Sequence, residues 1–220
     1  MSDLIFQLHT PEEFRYLSSL GHWIAGYIFL GVVIIALLQA FGFFKKQPYL
    51  WPALVAIAGI IFIPYNMMHH GLNELPLVWK VIELDPQQRQ HFIMFNLLFI
   101  AGVIELLLSL KKIKGKFWYF VWPAVMFIIG YLFLTHPQHG TAEARAYAVP
   151  FHTTLGTVLV ITGVLKAADV MWSAKYKLLT YGWIFFLFTA SIMLIIYNEP
   201  EGAYQIDSSQ PTQHQGIIEH

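Results

Sequence analysis

Histidine is the residue of this 220-residue chain best suited to chemistry, and there are ten of them. Seven (His22, His69, His70, His91, His136, His139 and His152) fall where apolar segments begin or end. Imidazole is a good ligand for copper, zinc, iron and nickel, and carboxylate adds a harder oxygen. Two carboxylates, Glu74 and Glu143, follow His70 and His139 at the same interval. Each is expected to ligate directly or to accept the distal ring N–H of a ligand histidine and so fix its tautomer. His9, His214 and His220 lie near the chain ends and are expected to be solvated.

The spacing is not random. His22 and His91 are 69 residues apart, as are His70 and His139, Gly71 and Gly140, and Glu74 and Glu143. Within each unit the two histidines are separated by 48 residues, the length of one helical hairpin. Trp51-Pro52 and Trp122-Pro123 open the second segment of each unit at an offset of 71. His152 opens a third, diverged unit, in which Asn198 stands where a histidine is expected.

The elements that must carry these residues are membrane helices. The chain is 57% apolar and 12% charged, against about 45–50% and about 25% in soluble domains. A bilayer core takes roughly 20 helical residues to cross. Six stretches qualify, at 20–43, 50–69, 91–110, 117–136, 150–171 and 178–197, and none shows the period-two alternation of a barrel strand. The expected fold is all-α: one six-helix bundle over residues 1–198, built of hairpins at about 20–74, 89–143 and 150–198, then a polar flexible tail at 199–220.

Orientation follows from basic residues. The connections after the first, third and fifth spans, with the end of the fifth, hold nine of the 13 lysines and arginines. Those loops are expected to be cytoplasmic, which places both termini and every histidine on the periplasmic side of a bacterial inner membrane. The stretch Leu75–Asp85 is amphipathic and is expected to lie along the interface. Glu105 and Asp169, near the basic side, are expected to pair with lysines or to snorkel to the interface.

Composition also excludes. Thirteen basic and 13 acidic residues cancel, which argues against nucleic acid as a partner. The absence of cysteine removes disulfides, thiolate metal sites, cysteine nucleophiles and iron–sulfur clusters. No phosphate loop or nucleophile elbow is present.

Three functions fit. The first is binding of a transition metal, copper favoured and zinc or iron as alternatives, for metal handling or transport. The second is a haem b electron-transfer subunit, with two of His70, His91, His139 and His152 as axial ligands. The third is a dinuclear metal oxidase or hydroxylase built on His69-His70 with Glu74 and on His136-Pro137-Gln138-His139 with Glu143. Binding is favoured over catalysis; as an enzyme, the chain would be a metal- or haem-dependent oxidoreductase. The lipid bilayer is one partner, and a periplasmic metal carrier or redox protein the other expected one.

The segment Gly21-His22-Trp23-Ile24-Ala25-Gly26 resembles the histidine and Trp-Gly pattern at a helix opening in CopD-type bacterial copper-resistance membrane proteins. That resemblance implies periplasmic copper handling. The chain has six expected spans where that family typically has eight.

Overall fold

A computed structural model describes residues 10–68, 82–83, 86–138, 140–173 and 175–205. Most of these residues are helical, with no strand among them. Six long helices follow in order: α1 (Pro11–Ala40), α2 (Leu50–Met68), α3 (Pro86–Ser109), α4 (Val121–Leu134, led in by a 3-10 turn at Lys116–Phe120), α5 (Ala142–Trp172) and α6 (Lys177–Ile196). Five of them, all but α2, are long and apolar enough to cross a membrane, counting the 3-10 turn with α4; within α2 the apolar run is Leu50–Ile63. Ile34, Ile60, Ile100, Phe127 and Phe185 point outward. An apolar exterior of this kind suits lipid and not water.

The helices form a closed ring. Each packs on its neighbours in the chain, and α6 returns to pack on α1. Side-chain burial alone does not drive helices together in lipid, so close backbone approach has to. A Cβ on Gly102 of α3 would lie 2.5 Å from the Ala56 nitrogen of α2. One on Gly156 of α5 would lie 2.7 Å from the Gly130 carbonyl oxygen of α4. One on Gly26 of α1 would lie 2.9 Å from the Ser191 carbonyl oxygen of α6. The glycine contacts therefore stitch one hairpin to the next (α2 to α3, α4 to α5, α6 to α1).

This arrangement extends the internal repeat to a third unit. Trp51, Trp122 and Trp183 are each followed eight residues later by a small residue, Gly59, Gly130 and Ser191. His91 and Gly102, like His152 and Gly163, are eleven residues apart, three turns on one helix face. The three tryptophans, one per hairpin, gather at one end of the bundle, with ring centroids 5.4 Å apart for Trp51–Trp122 and 6.4 Å for Trp51–Trp183. Three histidines in equivalent positions, His22, His91 and His152, gather at the other.

Several expected boundaries move. α1 begins at Pro11, not 20, because Thr10 and Glu13 form a reciprocal capping box with Pro11 in the first turn. α5 begins at Ala142, not 150, because the Thr141 hydroxyl accepts the Ala144 N–H at 3.3 Å. α3 begins at Pro86, five residues before His91. His22, His91 and His152 thus stand inside helices and do not open them.

The chain also stays packed beyond residue 198. Glu199, Ala203 and Tyr204 are buried, and the Tyr204 ring lies 5.1 Å from that of Phe14. Gly140, at φ +98°, lies against the backbone of Gly202 and Ala203, where no side chain fits. Residues 199–205 are therefore part of the fold and not a free tail. Most of Leu75–Asp85 and all of 206–220 lie outside the described residues.

Candidate functional site

Four imidazoles from four places in the chain meet at one end of the ring of helices. Their ring centroids run in a circuit: His22 to His91, 6.5 Å; His91 to His136, 4.7 Å; His136 to His152, 5.2 Å; and His152 back to His22, 5.9 Å. His22, His136 and His152 are buried. α1, α3 and α5 supply three of them, and the segment after α4 supplies His136.

Hydrogen bonds fix three of these rings. The Nδ1 of His22 lies 2.8 Å from the Ser18 carbonyl oxygen, and that of His152 lies 2.8 Å from the Ala148 carbonyl oxygen. A carbonyl only accepts, so Nδ1 carries the proton in both. His136 Nδ1 lies 2.7 Å from Gln90 Oε1. The Gln90 amide nitrogen donates to the Thr135 carbonyl at 3.5 Å, which orients the amide so that its oxygen faces His136. A neutral ring held this way keeps a lone pair on Nε2, the state a metal requires.

A second network braces the same end. Tyr197, just past α6, puts its ring 4.7 Å from that of His22 and 5.3 Å from that of His152. Its hydroxyl donates to Glu199 at 2.9 Å, and the Ser18 hydroxyl donates to the other Glu199 oxygen at 2.8 Å. The Ser19 hydroxyl accepts the Glu199 N–H at 2.9 Å, and Trp23 donates to the Tyr197 carbonyl at 2.7 Å. Burial, then the adjacent Glu199 carboxylate, holds the Tyr197 phenol well above its ordinary pKa. It therefore stays a donor.

Beneath the imidazoles lies a cavity of about 110 Å³, to which all six helices contribute. His22 and His91 border it, and Phe29, Phe62, Phe95, Phe133, Met94 and Met126 form much of its wall.

Of the expected site residues, His22, His91, His136 and His152 come together. Glu143 does not join them: it is exposed in the first turn of α5, nine residues and about 13 Å of helix rise from His152. There an acid is favoured by the helix dipole. His69, His70, His139 and Glu74 lie outside the described residues. Among the described residues, no three histidine, aspartate or glutamate side chains meet as a set that could hold a metal ion as they stand. Sequence reasoning missed Gln90, Tyr197 and Glu199. Tyr197 stands 61 residues after His136, as Trp183 stands 61 after Trp122 and His152 after His91. The register of the third unit was the available signal.

No family model matches the chain, and no curated protein is detectably similar to it. The reading of the site therefore rests on its geometry.

At the opposite end, Asp169 accepts hydrogen bonds from Trp183 at 3.1 Å and Lys166 at 3.0 Å, and from Thr180. The Lys166 ammonium lies 4.5 Å over the Trp183 ring. The expected acid–lysine pairing is present at Asp169.

Proposed function

We propose that this chain is a six-span inner-membrane protein that binds a transition metal, copper favoured, through His22, His91, His136 and His152 at its periplasmic end. The observation that carries this reading is the closed circuit of four imidazoles, three of them oriented by a hydrogen bond at Nδ1. Metal–nitrogen bonds of about 2.0–2.1 Å would draw the rings inward from their present separations. His69, His70, His139 and Glu74 keep places in the proposed ligand set by sequence spacing. The basic residues concentrate at the other end of the bundle, which favours an outside position for this site and both termini. A metal carrier or redox protein on that side is the proposed partner.

Haem b between two of the imidazoles is the second reading, favoured by the aromatic cavity beneath them. At about 110 Å³, that cavity is smaller than the about 300–1,000 Å³ of common cofactor clefts. A porphyrin would have to part the helices, which ranks haem behind a bare ion. Elemental analysis and an optical spectrum of the purified protein separate the two. Retained copper without a Soret band supports the metal site; a Soret band with α and β bands supports haem.

A further inference from the structure

We infer that the cavity under the imidazoles binds a single phenolic ring, with its hydroxyl toward His22. The inference does not rest on the metal reading.

The void is deep and narrow. Its lining on α1 runs from Ser18 to Phe29, eleven residues or about 16 Å of helix. At about 110 Å³ it is near the about 150 Å³ that admits benzene in an apolar protein core. One ring fits and a larger fused system does not.

The walls favour an aromatic occupant. Phe62 and Phe95 stack at 4.9 Å with 11° between their planes, and the His91 ring stacks on Phe95 at 6.2 Å. Faces and edges of this kind pair with a further ring. Met94 and Met126 supply polarizable, adaptable wall.

The mouth selects the polar group. His22 borders the cavity, and its Nδ1–H is spent on the Ser18 carbonyl, so the ring's other nitrogen is an acceptor. The Ser18 hydroxyl also borders it, and its proton is spent on Glu199. Both groups ask for a donor. A hydroxyl satisfies them, and a ketone or an ether, which only accepts, does not. If a metal takes His22 Nε2, the Ser18 oxygen still asks for a donor, and a hydroxyl remains preferred over an ether.

The test is photo-crosslinking of the full-length protein in detergent with a phenol bearing a small diazirine at the para position, followed by peptide mapping. The expected label falls on Met94, Phe95, Met126 and Phe133, and phenol suppresses it at about tenfold lower concentration than anisole. Label confined to outward-facing residues such as Phe127 and Tyr131, or equal competition by phenol and ether, overturns the inference. Ala25→Phe, which fills the cavity, is expected to remove the interior label and leave the surface label; an interior label that persists in the folded variant also overturns it. If that variant fails to fold, the competitor pair on the unaltered chain still decides. Metal content is read on the same samples, so failure of the metal reading registers separately.

Discussion

The Ser191 hydroxyl of α6 donates to the Gly26 carbonyl of α1 at 2.9 Å, in the place where Gly130 of α4 meets Gly156 of α5. The seam that closes the ring is thus the counterpart of the seam one hairpin earlier. Small residues at these crossings let the backbones touch, and the histidine layer inherits its geometry from them.

Substitution at a seam is expected to cost stability out of proportion to its size. Gly130→Ala puts a methyl 2.7 Å from the Gly156 carbonyl oxygen, and the helices must separate, at about 1–3 kcal/mol. Gly182→Ala meets only the Leu165 side chain, at 3.4 Å, and should change stability by less than about 0.5 kcal/mol. Thermal unfolding of the two variants in detergent checks the contrast.

The tryptophan cluster offers a second contrast. The Trp122 indole N–H is buried with no hydrogen-bond partner among the described residues, whereas that of Trp183 donates to Asp169. Both Trp→Phe changes lose ring volume, but Trp183→Phe also removes a bond to a carboxylate. It should be the more destabilising of the two by about 1.5–3 kcal/mol, measured as denaturant midpoints.

Gln90 is expected to act on the site through His136. Gln90→Leu removes the oxygen that takes the His136 Nδ1 proton, and metal affinity should fall about 10–100-fold with the fold retained. Competition with a metal chelator measures the affinity, and circular dichroism the fold. Unchanged affinity would mean that His136 is not a ligand.

Tyr197 predicts a pH effect with a definite sign. Its phenol is raised in the folded chain, by burial first and by Glu199 second. Its contribution to stability is therefore full below the ordinary phenol value of about 10 and is lost as pH rises above it. The melting temperature of the native chain should fall more steeply above about pH 10 than that of Tyr197→Phe. Parallel slopes would contradict the assignment.

The class of fold was legible because lipid demands long apolar helices, and hydropathy reports those directly. Helix starts were less so. Thr10-Pro11-Glu12-Glu13 carries a capping signal, but it lies upstream of the apolar run that hydropathy detects. The same bias put His22 and His152 at helix openings, when the helices begin some two to three turns earlier. Their convergence survived the error, because depth across the bundle and not distance from a cap decides which side chains meet. Glu143 was drawn into the expected site by a spacing it shares with Glu74, and the turn after Gly140 carries it away. Glu199 was unreadable: its burial depends on residues 199–205 folding back over the end of the bundle, a contact between remote segments that local polarity does not announce.

The proposed metal site is tested most directly by the metal content of the protein purified from membranes, compared with that of a His136→Ala, His152→Ala double variant. About one equivalent of copper per chain is expected in the first and loss of most of it in the second, with helical content unchanged. A native protein that carries neither metal nor haem, and whose copper affinity is the same after both imidazoles are removed, would contradict it.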